Sequence, residues 1–300
     1  MSLLVTGGRG LVGSAIKADL KPTRDSLDLM DLDATVAYIK SNDVTEIIHC
    51  AAKVGGIKAN MEQLGEFFYA NIILNTNVLE AARKCGVTKM VSFMSTCVFP
   101  DDATYPLSAD QIHNGEPHNS NYAYAYAKRM LDVQSRAYRD QYDCNFVTVI
   151  PCNIYGPHDN FDLVNSHVIP ALIRKCETAM EQNADFVVWG SGKPWREFMY
   201  VSDVAEIATW VLNNYDSPVP FIMSPDEEVQ ISTIAHEIAH CMGFDGAIVY
   251  DDSYPDGQLK KPSDNSVLKQ HMPHFEFTTI QNGLKKAIHW YKENKKDIRS

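Results

Sequence analysis

The chain has 300 residues, 45% of them hydrophobic and 22% charged, with a formal net charge of −11 at pH 7; this is globular composition, enough for one broad domain or two modest ones. The negative balance argues against a broad nucleic-acid or anionic-membrane surface, so an anionic ligand has to be met by a few local Arg and Lys side chains. No apolar run approaches the roughly 20 residues that a membrane span needs, Leu3-Leu4-Val5 is too short for a secretory core, and seven scattered cysteines without a C-x-x-C pair suit reduced thiols in the cytoplasm.

Leu3-Leu4-Val5-Thr6 reads as a short buried strand, followed at once by Gly7-Gly8-Arg9-Gly10-Leu11-Val12-Gly13 and a helical pattern over 14–20. Gly7, Gly10 and Gly13 therefore fall at a strand-to-helix turn. Absent side chains there let backbone approach a pyrophosphate, and the helix start supplies N–H groups and positive dipole. An acid closing the second strand would bind a ribose 2′-hydroxyl and indicate NAD. The chain instead has Lys21-Pro22-Thr23-Arg24. Arg24 together with Arg9 suits a 2′-phosphate and favours NADP(H), with Asp25 and Asp28 close behind; Asp28-Leu29 opens a segment suited to lie beside an adenine.

An amphipathic helix over 34–40 and a buried strand over 46–50 end in Ala51-Ala52-Lys53-Val54-Gly55-Gly56. This is a second turn at a strand's C-terminal end, where open α/β sheets line their ligand crevice. A long helix over 65–84 follows, then a strand over 89–94 that contains Phe93 and Met94 and ends in Ser95-Thr96-Cys97. Further on come a β-branched strand over 146–150, a polar loop from Pro151 through Asn153-Ile154-Tyr155-Gly156 to Phe161, a helix over 166–175 and a strand over 185–190. Strands alternating with helices predict a doubly wound parallel sheet of Rossmann type.

Tyr124 and Lys128 stand four apart in the alanine-rich helical run 123–137, on one face of one turn. A phenol near its usual pKa of about 10 is a poor acid or base at neutrality, and an ammonium beside it favours the phenolate. With Ser95 able to share a substrate oxygen, the set suits proton transfer at a carbonyl oxygen while hydride moves at its carbon. His236-Glu237-Ile238-Ala239-His240 matches H-E-x-x-H, but the third-ligand position holds Gly246, so the two are read as surface histidines and no metal site is expected.

The glycine turn, Ser95 and the Tyr124/Lys128 pair together resemble the extended short-chain dehydrogenase/reductase superfamily. Within it, Ala51 to Ile57, Ser95-Thr96-Cys97-Val98-Phe99-Pro100, Asn153 to Phe161, Asn165-Ser166-His167-Val168-Ile169-Pro170, Trp189-Gly190-Ser191-Gly192 and Arg196-Glu197-Phe198 are similar to the GDP-L-fucose synthase family, colinearly from Leu3 to about Leu268. The resemblance implies NADPH-dependent 3,5-epimerisation and 4-keto reduction of GDP-4-keto-6-deoxy-D-mannose. It implies Cys97 and His167 as base and acid, Tyr124 as proton donor to the ketone, Ser95 polarising it, and Lys128 contacting the nicotinamide ribose. It places Gly7–Gly13, Arg24–Leu29, Ala51, Ala52, Phe93–Thr96, Asn153–Gly156 and His167 around NADP(H), and Asn165, Val168, Lys175, Trp189, Arg196 and Asp264 at the GDP-sugar.

It further implies a homodimer through helices 65–84 and 122–142, and two domains: 1–155 with 199–222 returning to it, and 156–198 with 223–300. Thr96 stands where a second serine is usual, and Lys175 where arginine is frequent. The alternatives are a related nucleotide-sugar 4-epimerase or 4,6-dehydratase, for which Cys97 and His167 would be dispensable, and a non-catalytic NADP(H)-binding module.

Overall fold

The structure, a computed structural model, describes residues 2–163, 165–254, 256–296 and 298. From the N-terminus the elements run β1 (Ser2–Thr6), α1 (Leu11–Ala15), α2 (Leu32–Ser41), β2 (Val44–His49), α3 (Ile57–Glu62), α4 (Leu64–Lys84), β3 (Lys89–Phe93), α5 (Tyr122–Tyr142), β4 (Phe146–Pro151) and β5 (Asn153–Tyr155). They continue with α6 (Val168–Gln182), β6 (Phe186–Trp189), β7 (Trp195–Tyr200), α7 (Val201–Asn214), β8 (Phe221–Met223), β9 (Glu228–Gln230), α8 (Ile231–Met242), β10 (Ile248–Asp251), α9 (Ser266–His271) and α10 (Ile280–Glu293).

Among the described residues, five parallel strands form one sheet in the order β1-β2-β3-β4-β8. Because side chains alternate along a strand, neighbouring apolar residues serve opposite faces. Leu4, Ile47, Met90 and Ile150 pack with Val78 and Leu79 of α4 and Leu131 of α5. Val5, Ile48, Val91 and Val149 pack with Val204, Ile207 and Val211 of α7. Every residue of β3 and β4 is buried, as a strand between two helical layers requires. The sheet is the predicted doubly wound parallel one.

A third core joins Leu172, Ile173 and Cys176 of α6 to Ile234 and Ile238 of α8 and Leu284 and Ile288 of α10. Around it lie the pair β10-β6 and the sheet β5-β7-β9. His236 and His240 sit on the exposed side of α8, opposite that core.

Two predicted elements differ: the loop expected from Pro151 to Phe161 contains β5, whose backbone pairs in parallel with β7, and the first helix is displaced. Helix 14–20 stops at Ala15, Ile16 turns extended (ψ 130°), and Leu20 runs beside β1, its carbonyl accepting from the Val5 N–H at 2.9 Å. Lys21 precedes Pro22, which disfavours helical backbone at Lys21, and Leu20 fills hydrogen bonds that β1 would otherwise leave open. Lys292 lies in the last turn of α10 and residues 294–296 form a turn beyond it, and Asp297 and Arg299 lie outside the described residues.

Candidate active site

The glycine turn leads from β1 into α1 at the C-terminal edge of the parallel sheet. Gly7 has φ +70°, and a Cβ there would stand 2.9 Å from the Ala51 backbone; one on Gly13 would stand 2.3 Å from the Gly7 carbonyl oxygen. Side chains are excluded, so this backbone is open to a close-lying pyrophosphate and fits a dinucleotide. Lys21 packs on Gly8, and Arg9 and Arg24, on either side of that contact in the sequence, are both exposed. Leu29 packs into the sheet core, and its carbonyl accepts from Asn77 Nδ2 at 3.1 Å.

Ser95 to Cys97 follow directly from β3. Ser95 caps a single 3₁₀ turn, with its Oγ 3.5 Å from the Cys97 backbone N and accepting from the Cys97 thiol at 3.2 Å. Helix α5 is locked to this loop by the buried Arg129, whose Nε and Nη2 donate to the Val98 carbonyl and whose Nη1 donates to that of Gly115. On the same helix, Lys128 is 2% exposed and donates to the Phe93 carbonyl at 2.8 Å. Burial pulls its ammonium down to about 8, against the opposing influence of Cys50 and Cys97.

Tyr124 meets Phe67 edge-on, ring centroids 6.4 Å apart. Burial pushes its phenol well above the usual range, and nearby Cys97 adds to the rise. The lowering by Lys128 expected from the four-residue spacing is therefore not what the structure holds: the ammonium is turned to the β3 end. Burial also pushes the Cys97 thiol up, opposed first by Ser95 and then by the charges of Lys261 and Lys128.

His167 is the N-cap residue of α6, a helix of the third core. Its ring is exposed, yet enough protein surrounds it for desolvation to lower its pKa. The preceding loop is stiffened by Asp162, whose Oδ1 accepts from Asn165 N at 2.8 Å and Asn165 Nδ2 at 2.9 Å. That binds the Asn165 side chain within its own loop. Val168 is half-buried at the start of α6.

On the α6–β6 side, the Lys175 ammonium stands 3.6 Å from the Trp189 ring centre, and Tyr254 stacks on that indole at 4.2 Å and 8°. Both cannot occupy one face at those distances, so lysine and tyrosine cover opposite faces. Arg196, at the start of β7, donates to the Trp195 carbonyl at 2.7 Å.

Asp264 uses its Oδ1 to cap the turn into α9, accepting from Ser266 N at 2.9 Å. Glu228 and then Asp256 are the acids whose charges reach Arg196, and Asp256 also accepts from Ser191 N at 2.7 Å and Ser191 Oγ at 2.6 Å.

Of the other residues predicted at the cofactor, Phe93 and Met94 are buried. Phe93 contributes its carbonyl to Lys128. Thr96 and Ala52 are half-buried in their turns, and the Ala51 N–H is used by Thr6 Oγ1. Asn153 Nδ2 is used between β5 and β7, donating to the Glu197 carbonyl at 2.8 Å. Ile154 packs into the sheet core. The Tyr155 side chain is 1% exposed within the third core, against Gly283; only its backbone, with that of Gly156, can face a cleft. Asp25 and Asp28 are exposed, Asp28 closing a local turn onto Met30 N.

The sequence pattern of the NAD dependent epimerase/dehydratase family matches residues 3–223. A GDP-L-fucose synthase from Dictyostelium discoideum is 45% identical, the alignment covering 98% of this chain and 96% of that one. The GDP-L-fucose synthase of Escherichia coli strain K12 is 35% identical over 99% and 98% of the two chains. The chain belongs to the NAD dependent epimerase/dehydratase family, in its GDP-L-fucose synthase group. A crystal structure of a GDP-L-fucose synthetase from Naegleria fowleri bound to NADP superposes with a TM-score of 0.95 at 39% identity, covering 99% of this chain and 94% of that one.

For a member of this family, the features hardest to see in the sequence are those that depend on distant contacts. Lys260 and Lys261 separate: Lys260 lies 3.7 Å from Glu228, whereas Lys261 is held near Cys97 and Arg196. His49, fully buried at the end of β2, links Thr6 Oγ1 (2.7 Å, to Nδ1) to Asn75 Oδ1 (3.0 Å, to Nε2). Asn75 Nδ2 donates onward to the Ala127 carbonyl, next to Lys128. The only sequence signal was a polar residue closing an apolar strand.

Proposed function

We propose that the chain converts GDP-4-keto-6-deoxy-D-mannose to GDP-L-fucose by NADPH-dependent 3,5-epimerisation and 4-keto reduction. The observation that carries this reading is the gathering of Ser95, Cys97, Tyr124 and Lys128 around one strand end, in a chain 45% identical to a GDP-L-fucose synthase across nearly its whole length.

The substrate ketone at C4 acidifies the hydrogens on C3 and C5. Cys97 as thiolate removes such a proton, leaving an enolate whose charge rests on the C4 oxygen, and His167 as imidazolium returns a proton from the other face. Ser95 and Tyr124 donate hydrogen bonds to that oxygen. When bound, NADPH supplies the hydride that reduces C4. Tyr124 gives its phenolic proton to the oxygen in that step, and Lys128, charged below about pH 8 and neutral above it, stabilises the phenolate left behind.

Gly7 to Gly13 would hold the pyrophosphate, and Arg9 and Arg24 a 2′-phosphate; Ala51, Ala52 and the backbone from Asn153 to Gly156 would line the cofactor. Lys175 and Arg196 suit the GDP diphosphate. The division at 155, with 199–222 returning, is supported by β8 and α7 packing with the parallel sheet. A homodimer is supported by the exposed Phe68 and Tyr69 on α4 and Tyr122, Val133 and Tyr142 on adjacent α5. A cytoplasmic place is supported by the reduced thiols; no helix of the described residues is long and apolar enough to cross a membrane.

The deciding experiment is NADPH oxidation, followed by absorbance, with the keto sugar nucleotide as substrate and the product resolved by NMR. GDP-L-fucose with NADPH preferred over NADH is the expected result. A reduced but unepimerised sugar would remove the roles of Cys97 and His167. No oxidation would leave the 4-epimerase, dehydratase or binding-module readings.

A further inference from the structure

Cys97 hangs from the end of β3, in the parallel-sheet layer, while His167 caps α6, in the third core. Acid and base must flank one sugar ring, so the gap between them depends on the loops that join the two layers. We infer that Gly56 is a positioning residue for the epimerisation half-reaction, holding the His167 loop to the cofactor turn through its N–H bond to the Asn165 carbonyl. This rests on the proposed reaction and on the role given there to His167.

The segment from Ala51 to Gly56 is pinned along its length. At its start the Ala51 N–H donates to Thr6 Oγ1 at 3.2 Å, and its backbone lies against Gly7 so closely that no side chain fits between them. In its middle, Lys53 N donates to Asn71 Oδ1 at 3.0 Å and Asn71 Nδ2 returns a bond to the Lys53 carbonyl at 2.9 Å; Asn71 is fully buried in α4. Near its end, Asn60 Nδ2 donates to the carbonyls of Gly55 at 2.8 Å and Gly56 at 3.1 Å. The far tip is the Gly56 N–H, 2.9 Å from the Asn165 oxygen.

On the receiving side the loop is equally set. Asp162 holds Asn165 by both its nitrogens, and the Ser166 N–H donates to the Asp162 carbonyl at 3.0 Å. His167 follows one residue later, its carbonyl accepting the Ala171 N–H of α6. A strut thus runs from the glycine turn to within two residues of the imidazole. The approach is close: a Cβ on Gly56 would stand 3.2 Å from the Ser166 oxygen and 3.6 Å from that of Asn165, room for a methyl after a small shift but not for a branched side chain. The φ of −63° is open to any residue, so it is the close approach and not backbone strain that calls for a small residue.

Two substitutions separate the parts. Gly56→Pro keeps φ, since proline is fixed near the same value, and removes the N–H. Gly56→Val keeps the N–H and drives a branched side chain onto the Ser166 carbonyl. The measurement is solvent deuterium incorporation at C3 and C5 of GDP-4-keto-6-deoxy-D-mannose, with NADP+ present so that no reduction occurs. NADPH affinity by fluorescence titration and thermal unfolding are recorded in parallel, and His167→Ala is the reference variant.

Both Gly56 variants should lose about ten-fold or more of the exchange rate at saturating substrate, as expected for a misplaced catalytic group. The sugar-nucleotide KM and the NADPH Kd should stay within about two-fold. Gly56→Ala, with the N–H kept and a smaller intrusion, should recover most of the rate. Wild-type exchange in the proline and valine variants, with exchange abolished in His167→Ala, overturns the inference and leaves the reaction scheme standing. Exchange and NADPH affinity falling together also overturn it, since that is general damage. Undiminished exchange in His167→Ala instead removes the role of His167 itself. Should the proline variant fail to fold, the valine variant gives the same decision.

Discussion

The thiol of Cys97 lies 3.2 Å from the hydroxyl of Ser95, so the group assigned to the ring proton and the group assigned to the C4 oxygen share one turn. Deprotonation beside the ketone and polarisation of the ketone are then one geometric event, because an enolate forms only as its oxygen is stabilised. Ser95 leads the influences that pull the Cys97 thiol down against its burial, which its hydroxyl does when it turns to donate to the thiolate instead of accepting from the thiol.

A pH profile of C3/C5 exchange follows from the two shifted groups. His167 is lowered and Cys97 raised from their ordinary values, so the pair carrying one proton between them is the major form over a broad window on both sides of neutrality. A thiolate–imidazolium pair has the same proton count as a thiol–imidazole pair, so its population is flat across that window. Exchange should therefore plateau, falling on the acid side at the lowered His167 pKa and on the alkaline side at the raised Cys97 pKa. Lys261→Met removes a charge that favours the thiolate and should move the alkaline limit up. If Cys97 acts as thiolate, each unit of that movement lowers the plateau about ten-fold; an unchanged plateau would mean that Cys97 donates and His167 abstracts. Cys97→Ser should cost about a hundred-fold or more.

Much of this site was legible because it rests on local spacing. The near-continuous apolar runs of β3 and β4 mark parallel strands buried on both faces, so Ser95 falls at a strand end. Tyr124 and Lys128 share a face simply through helix geometry. What stayed hidden depends on contacts between distant segments. Leu20 leaves its helical pattern because β1 offers it unpaired backbone groups. Tyr155 turns into the third core because Gly283, more than a hundred residues later, leaves room for its ring. Asp264 and Asp256 are both acids after a β-strand, and only the tertiary path puts one at a helix start and the other beside Arg196.

Cofactor preference should reside in Arg9 and Arg24. Both are exposed, and among the described residues neither has an ion pair, so no internal acid competes with a ribose phosphate. Arg24→Ala should raise the KM for NADPH about ten-fold at low salt and leave that for NADH nearly unchanged, with the difference narrowing as ionic strength rises. Steady-state kinetics with both cofactors at two salt concentrations would show this. Equal losses for NADPH and NADH would place Arg24 elsewhere than at a 2′-phosphate.

His49 makes a prediction for stability. Burial holds it down to about 3, Lys128 adding to the effect. A base whose folded pKa lies below its unfolded value contributes stability that is complete above the unfolded value, about 6.5, and is lost as pH falls toward the folded one. The loss approaches about 1.4 kcal/mol per pH unit within that window. His49→Gln should be less stable than wild type at pH 7.5, where it disrupts the Thr6–Asn75 link, and the gap should narrow as pH falls to 5. Urea unfolding of both proteins at those two pH values tests it; a constant gap would mean that the imidazole is not held neutral.

Lys175 links the nucleotide side of the site to pH. Its ammonium is pulled down to about 8, chiefly by desolvation, with Asp251 opposing, and it is pressed on Trp189 at 3.6 Å. A diphosphate binds the charged form, so affinity for GDP should be independent of pH below about 7.5 and weaken by up to about ten-fold per unit above pH 8. Lys175→Arg keeps the charge at every accessible pH, since guanidinium does not titrate there. In that variant the alkaline weakening should vanish, while the neutral-pH affinity stays within about three-fold of wild type. Calorimetric titration of GDP at pH 7, 8 and 9 would decide it. Persistence of the alkaline loss in Lys175→Arg would assign the titration to another group, and an equal affinity in Lys175→Met at pH 7 would take Lys175 out of the diphosphate site altogether.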